Sequence, residues 1–234
     1  STFMQRAYDN VIHDVAIQDL PVVMCLDRGG LVGEDGVTHH GVFDMAAFGA
    51  VPGLTIAAPM NEPELRNMMY TALGSGHPFM IRYPRGHGEG LPWRGEKFET
   101  LPVGRGRRLR EGADVALLTV GTVGNAAARA AGRAAAEGVS VAHYDLRLVK
   151  PLDEALLDEV GRKFRRVVTV EDGSLRGGVG EAVAAFFNGR GYDVRVQRLG
   201  IGDEWVEHGT PGQLYALCGY DEEGILRALL DTRA

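Results

Sequence analysis

Short apolar runs alternate with helix-forming segments along most of the chain, and this alternation constrains the fold more than any other feature. The runs at 21–26, 54–58 and 79–83 have the length and composition of strands buried on both faces of a sheet. Between the last two, residues 61–64 combine an asparagine cap, a first-turn proline and two glutamates, which is typical of a helix start. The pattern therefore predicts an α/β fold with mostly parallel sheets.

The alternation is interrupted once, between residues 84 and 106, where glycine and proline are dense and no periodicity holds. We interpret this segment as a linker between a first unit, 1–83, and a second unit, 107–234. In the second unit the apolar runs predict strands at 115–120, 139–144, 167–170 and 194–199. The first unit has only three predicted strands and opens without a methionine, so we expect the chain to be part of a longer protein.

Charge and cysteine content limit the classes of function. The formal net charge is -6, which argues against nonspecific binding to nucleic acid. No apolar run reaches the length of a membrane span, so no membrane partner is expected. Cys25 and Cys218 each lie inside an apolar run and are predicted to be buried thiols of a reducing compartment, which suggests a cytoplasmic location.

The richest concentration of reactive side chains is the glycine-rich loop from Asp27 to Gly41, which directly follows the first apolar run. In open α/β sheets, ligands bind at the carboxyl ends of strands, and glycines let the backbone approach them closely. The loop carries Arg28, Asp35, His39 and an adjacent second histidine; a histidine oriented by a carboxylate can transfer protons near neutral pH. The alternative is a solvated loop of turns. Adjacent histidines tend to face opposite ways and no metal-ligand spacing occurs, so no metal site is predicted.

Two places in the chain are candidates for binding an anion. Arg28 and Arg85 both lie just beyond the ends of predicted buried strands, and two guanidinium groups at one sheet edge can hold a phosphate through paired hydrogen bonds. The alternative is that each arginine pairs with a surface carboxylate. The glycine-rich loop 171–180 precedes a predicted helix; we interpret it as tight packing or an interface, with a bound phosphate as the alternative.

Three segments together, 1–9, 27–44 and 82–86, resemble the 1-deoxy-D-xylulose-5-phosphate synthases, which are transketolase-like thiamine-diphosphate enzymes. The Asp-Gly-x-Thr-His core at 35–39 is shared with transketolases in general, whereas the residues on either side of it are similar to those of the synthases. The resemblance continues through the second unit at 149–153, 170–173 and 207–209. It therefore covers nearly the whole chain.

The resemblance implies a fold and a reaction. Residues 1–83 would be the latter half of a pyrimidine-binding domain, and 107–234 would be a transketolase C-terminal-like α/β domain. Such enzymes condense pyruvate with D-glyceraldehyde 3-phosphate to 1-deoxy-D-xylulose 5-phosphate and carbon dioxide, for isoprenoid, thiamine and pyridoxal synthesis. Thiamine diphosphate and Mg²⁺ would be bound mainly by an N-terminal portion, without which this chain would be inactive. The assembled protein would be a homodimer.

The resemblance also implies roles for individual residues. Phe3 would stack on the aminopyrimidine of the cofactor, although its default interpretation is core packing. Asp35 and His39 would be catalytic and hydrogen-bond atoms derived from pyruvate. Substrate-binding cations would be Arg6, Arg28 and Arg85. Two alternatives remain open at this point: another transketolase-type enzyme, which would generally have a proline in place of Gly41, and a noncatalytic assembly subunit.

Overall fold

The protein is described by a computed structural model that covers residues 1–231. Its strands are β1 (Val23–Leu26), β2 (Thr55–Ala57), β3 (Phe79–Arg82), β4 (Arg107–Arg110), β5 (Val115–Val120), β6 (Val141–Asp145), β7 (Leu148–Lys150), β8 (Arg166–Ser174) and β9 (Arg195–Ile201). Its α-helices are α1 (Tyr8–Asn10), α2 (Asp44–Gly49), α3 (Glu62–Leu73), α4 (Val123–Ala136), α5 (Glu154–Lys163), α6 (Val179–Gly189), α7 (Pro211–Leu217) and α8 (Glu222–Leu230). No helix within the described part of the chain is long and apolar enough to cross a membrane.

The strands form two sheets, and the predicted α/β fold is confirmed. The first has the order β1-β3-β2-β7, in which β1, β3 and β2 are parallel. The second has the order β4-β6-β5-β8-β9 and is parallel except at β4. Strand β5 is buried along its entire length, as expected of a central strand covered by helices on both faces. The division at residues 84–106 stays a prediction.

The two units share backbone hydrogen bonds as well as side-chain contacts. Strand β7 belongs to the second unit by sequence, yet it pairs antiparallel with β2 of the first sheet. The amide of Ala58 adds a hydrogen bond to the carbonyl of Arg147 at 2.9 Å. Beside this junction the buried carboxylate of Glu64 accepts from Arg107 at 2.8 Å and from Arg147 at 2.9 and 3.0 Å. The first sheet is therefore completed by the second unit.

Two expectations for the first unit were wrong in part. Strand β1 pairs with β3 alone among the described residues, so it is an edge strand, and Cys25 is exposed instead of buried. Apolar residues from Met4 to Ala16 recur at helical spacing, which predicts one amphipathic helix. The segment is instead irregular: Thr2–Ala7 is 3₁₀-helical, α1 has a single turn, and Val11–Ala16 is π-helical. Only Val11 of this segment is fully buried, because no described element covers its outer side.

The linker has no regular secondary structure but is fastened to α3. The guanidinium of Arg66 donates to the carbonyls of Glu96 at 3.0 Å and Lys97 at 2.6 Å. The same group lies 4.9 Å from the ring centroid of Phe98, which stacks on Tyr70 at 5.1 Å. These contacts fix the path by which the chain passes from the first sheet to the second.

We expect the stability of the chain to depend on pH through His143, which is 1% exposed in the second sheet and bonded to the Thr119 hydroxyl at 2.9 Å. Burial, followed by the charges of Arg107 and Arg110, lowers the pKa of His143 from 6.5 to about 4. As the pH falls, the unfolded chain therefore binds this proton at a higher pH than the folded chain does. The contribution of neutral His143 to the free energy of unfolding is complete above pH 6.5 and is lost as the pH falls towards 4. The loss is about 3 kcal/mol.

Urea titrations of the wild type and of His143→Gln between pH 7 and pH 4 measure this contribution. Glutamine retains a hydrogen-bonding group for Thr119 but does not titrate. The wild type should lose more unfolding free energy than the variant across this window. Parallel curves for the two proteins would show that His143 is not the group responsible.

Candidate active site

The glycine-rich loop is closed at its base by two backbone hydrogen bonds. The amide of Gly30 donates to the carbonyl of Gly41 at 2.7 Å, and the amide of Gly41 donates back at 2.8 Å. The amide of Gly29 donates to the carbonyl of Tyr83, just beyond β3, at 2.9 Å. We call residues 27–41 the site loop. Because β1 and β3 are parallel neighbours, with Leu26 opposite Arg82, the site loop and the segment after β3 leave the sheet side by side.

Arg28 and Arg85 converge on the carboxylate of Asp35, in a short 3₁₀ turn of the site loop. The nearest nitrogen of Arg85 is 2.5 Å from Asp35 Oδ2, and that of Arg28 is 3.6 Å from the same oxygen. All three side chains are about one-third to one-half exposed. Two cations share one anion, so the cluster has an excess positive charge that is open to solvent. We call Arg28 and Arg85 the arginine pair.

His39 and Phe3 lie together on the site loop and the N-terminal segment. Their rings meet edge to face, with 5.4 Å between the centroids, and the side chain of Phe3 is 59% exposed. The Nδ1 atom of His39 is 2.9 Å from the hydroxyl of Thr38. Phe3 is therefore not a core residue: it presents an aromatic surface beside an imidazole.

The neighbouring His40 has a different environment. It is buried, its Nδ1 accepts from the amide of Val32 at 3.1 Å, and its Nε2 lies 3.4 Å from the carbonyl of Glu207. An amide donor at Nδ1 requires that this nitrogen carry no proton, so the hydrogen is on Nε2 and faces Glu207. The two histidines do face opposite ways, and His40 holds the site loop against the second unit. We call the first and second units the first and second domains.

Arg6 is not drawn into the cluster. Its side chain is exposed on the N-terminal segment, and it forms no hydrogen bond or ion pair with any residue from 1 to 231. The described residues also contain no group of three or more histidine, cysteine or acidic side chains that would hold a metal ion. The polar part of the site thus consists of the arginine pair, Asp35 and His39.

Sequence reasoning missed a buried ion network directly behind the site loop. Arg82, at the end of β3, donates to Asp44 at 2.8 Å and to the carbonyls of Gly41 and Asp172 at 3.3 and 3.0 Å. The side chains of Arg82 and Asp44 are 5% and 3% exposed. The available signal was an arginine inside the apolar run 79–83, because a guanidinium in such a position must be paired.

The second glycine-rich loop, 171–180, is used for packing. The carboxylate of Glu171 accepts from the amides of Val179 at 2.7 Å and Gly180 at 2.8 Å, at the start of α6. Burial raises the pKa of Glu171 to about 7, although these hydrogen bonds act in the opposite direction. The helix start that could have held a phosphate is therefore filled by the chain's own carboxylate, which corresponds to the packing interpretation.

A cleft of about 560 Å³ opens beside Arg85, between the two domains. Its walls combine apolar and polar side chains: Met60, Leu65, Tyr83, Asn125 and Tyr215 are among them. The start of α3, the segment after β3 and the second domain therefore surround a space large enough for a small substrate.

Comparisons with known proteins identify the same two domains and the same fold. The transketolase pyrimidine binding domain matches residues 1–89, and the transketolase C-terminal domain matches residues 104–225. The inactive β4 tetramer of a split-gene transketolase superposes with a TM-score of 0.87 at 26% identity, covering 97% of this chain and 72% of that chain. The fold class expected from the sequence is thereby confirmed.

Curated relatives narrow the family further. The 1-deoxy-D-xylulose-5-phosphate synthase of Bacteroides fragilis is 58% identical over 100% of this chain and 36% of its own length. That of Bacteroides thetaiotaomicron is 58% identical over 98% of this chain and 36% of its own length. The synthase of Symbiobacterium thermophilum is 48% identical over 96% of this chain and 34% of its own length. The chain thus spans roughly a third of these proteins. It belongs to the transketolase-like family of 1-deoxy-D-xylulose-5-phosphate synthases and matches their C-terminal portion.

Proposed function

We propose that this chain is the acceptor-binding part of a thiamine-diphosphate-dependent synthase. The assembled enzyme condenses pyruvate with D-glyceraldehyde 3-phosphate to 1-deoxy-D-xylulose 5-phosphate and carbon dioxide. The observation that carries the proposal is the convergence of Arg28 and Arg85 on Asp35 at the carboxyl edge of the first sheet. A phosphate is the substrate group that two guanidiniums bind best, since each offers paired donors in a planar fork.

Each residue of the cluster has a defined task in this proposal. The acceptor phosphate replaces Asp35 as the partner of the arginine pair. The carboxylate of Asp35 is then available to hydrogen-bond atoms derived from pyruvate. The imidazole of His39 lies on the same loop and exchanges protons with the reacting oxygens. Arg6, which has no partner within residues 1–231, supplies a further cation for the substrate carboxylate.

The residues present also fit the implied cofactor. The ring of Phe3 is 59% exposed and is supported by His39 at one edge, so its face is accessible to a planar heteroaromatic ring. When bound, thiamine diphosphate supplies the electron sink that decarboxylation of a 2-oxo acid requires. The proposal assigns Mg²⁺ and the diphosphate to the N-terminal portion, which corresponds to the part of the relatives that this chain does not span.

An assembly role without catalysis is the second candidate. The split-gene transketolase that superposes on this chain is described as an inactive β4 tetramer, so a protein of similar extent can exist as a separate, inactive oligomer. That similarity supports the proposal that this chain is inactive by itself and needs its N-terminal portion. It also suggests an oligomer for the assembled enzyme, which we propose to be a homodimer in the cytoplasm.

The proposed function predicts a specific pattern of carbon dioxide release from pyruvate. We expect no release by the chain alone, and release by the chain joined to its N-terminal portion with thiamine diphosphate and Mg²⁺. D-Glyceraldehyde 3-phosphate should stimulate the reaction far more than D-glyceraldehyde, because only the former has a group for the arginine pair. Product analysis by mass spectrometry identifies the pentulose phosphate.

Three outcomes would overturn this assignment. Equal stimulation by the phosphorylated and unphosphorylated aldehydes would remove the role given to the arginine pair. A folded, cofactor-loaded assembly that releases no carbon dioxide from pyruvate would favour the assembly role. Preference for a longer phosphorylated sugar would instead indicate another transketolase-type reaction.

A further inference from the structure

Asp172 lies in the second domain, yet its carboxylate is bonded to the site loop of the first. Its Oδ1 accepts from the amide of Leu31 at 3.0 Å and from the hydroxyl of Tyr220 at 2.8 Å. Its Oδ2 accepts from the hydroxyl of Tyr215 at 3.2 Å. The residue is 4% exposed, so these donors are its principal partners. A buried carboxylate held by three donors is a rigid anchor, because each donor fixes it in a different direction.

The carboxylate of Asp172 binds the site loop at Leu31, immediately after the closed base. Gly30 and Gly41 are bonded to each other there, and Leu31 is the next residue along the chain. Arg82 reinforces the same point, since it donates both to the carbonyl of Gly41 and to the carbonyl of Asp172. The base of the loop is thus bonded to the end of β8 through Leu31 on one side and through Arg82 on the other.

Glycine at position 30 is required by this close approach. Its φ is +88°, and a Cβ built there would lie 1.9 Å from Asp172 Oδ2. The side chain of the second domain therefore occupies the space that any other residue at position 30 would fill. Because the backbone at Gly30 is packed directly against the carboxylate of Asp172, neither can move without displacing the other.

The anchored base lies between the two charged groups of the site loop. Arg28 is two residues before Gly30 and has a left-handed backbone, with φ +57°. Asp35 is four residues after Leu31, in the 3₁₀ turn. A shift of the base therefore changes the separation of Arg28 from Asp35 and from Arg85, which is on a different segment. Displacement of this kind weakens a bidentate site because its geometry is narrow.

We propose that Asp172 is a positioning residue that sets the spacing of Arg28 from Arg85 by anchoring the base of the site loop to the second domain. The inference rests on the proposed function, in which the arginine pair binds the acceptor phosphate. Asp172 does not touch the substrate; it acts through Leu31 and the base of the site loop. Phosphate binding and the Asp172–Leu31 hydrogen bond are then thermodynamically coupled, and the coupling is reciprocal.

The first test uses the wild-type assembly and inorganic phosphate, with amide hydrogen exchange as the measurement. Saturating phosphate should slow the exchange of the Leu31 amide at least about fivefold, which is the lower range of allosteric couplings. The amide of Gly180, which is bonded to the neighbouring buried carboxylate of Glu171, is the internal control and should not change. Unchanged exchange at Leu31 with phosphate bound would overturn the inference, without requiring any variant to fold.

The second test compares three variants by their Kd for inorganic phosphate and their KM for each substrate. Asp172→Ala removes the acceptor for Leu31 and should raise the Kd and the KM for the phosphorylated aldehyde about tenfold, with the KM for pyruvate unchanged. Asp172→Asn keeps an oxygen for Leu31 and should restore both constants to within about twofold. Glu171→Ala removes an adjacent buried carboxylate whose hydrogen bonds within residues 1–231 go to the amides of Val179 and Gly180 in its own domain, and it should leave both constants unaltered.

The outcomes separate this inference from the proposed function. A wild type that binds phosphate but shows no aldehyde-stimulated carbon dioxide release would refute the function alone. A Kd that is the same in Asp172→Ala and in the wild type would refute the positioning role alone. Equal losses in Asp172→Ala and Glu171→Ala would also refute it, because they would reflect general destabilisation of the second domain.

Discussion

Replacing either arginine of the pair by methionine in the assembled enzyme is expected to raise the KM for D-glyceraldehyde 3-phosphate about 10- to 100-fold. Each guanidinium contributes charge-assisted hydrogen bonds to the phosphate, and such bonds are worth about 1.5–3 kcal/mol. Methionine is unbranched, so Arg28→Met introduces no additional side-chain branching at a backbone that already has φ +57°. The KM for pyruvate should remain within about twofold of the wild-type value, since neither arginine contacts that substrate in the proposed arrangement.

Two controls make the result specific. The same variants assayed with D-glyceraldehyde should differ little from the wild type, because that acceptor has no phosphate. Arg176→Met removes an arginine that is 80% exposed and paired with Asp203, and it should have no effect on either KM. Should Arg28→Met and Arg85→Met weaken both acceptors equally, the arginine pair would be a structural element and not a phosphate site.

The largest loss of stability is expected from Arg82→Met, which should lower the free energy of unfolding by about 3–5 kcal/mol. Methionine has a similar length, so the substitution leaves only a small cavity. It removes every hydrogen-bond donor that the guanidinium of Arg82 provides. The buried carboxylate of Asp44 and the carbonyls of Gly41 and Asp172 lose donors at 2.8, 3.3 and 3.0 Å. A buried ion without its partner is far more unfavourable than the intact pair is favourable.

Chemical denaturation of the chain measures this difference. Arg133→Met is the matched control: Arg133 pairs with Glu223 and Glu222 on the surface, where an ion pair is worth about 0–1 kcal/mol. Similar losses in the two variants would contradict the argument from burial. Recovery of stability in the double variant Arg82→Met with Asp44→Leu would support it, because no unpaired carboxylate would then remain at position 44.

The parts of the site that sequence reasoning located are those set by local rules. Arg28 and Arg85 each follow a strand, and the carboxyl ends of parallel strands meet at one sheet edge, so their proximity could be predicted without coordinates. The opposite orientations of His39 and His40 follow from their adjacency. The helix start at 61–64 could also be recognised from the sequence. Asn61 does cap α3, because its side chain accepts from the amide of Glu64 at 3.1 Å.

The remaining features depend on partners that are far apart in the sequence. Asp172 is separated from Leu31 by 141 residues, and no local pattern indicates that they touch. Cys25 was expected to be buried because its neighbours are apolar, but its exposure depends on what covers that face of the edge strand β1, which the neighbouring residues do not reveal. The irregular winding of residues 2–16 likewise reflects their one-sided packing, which a helical periodicity does not reveal.

The pairing of β7 with β2 has a consequence for how such a protein can be divided. A cut within 84–106 would divide the chain into two pieces. These pieces would still be connected through the strand pairing of β2 with β7 at Ile56 and Ala57. The piece that kept the first domain would expose the edge of β2, and an uncovered edge is a template for pairing with other molecules. A division of this chain within the linker is therefore expected to leave the first sheet incomplete, because β7 would have to return from a separate piece.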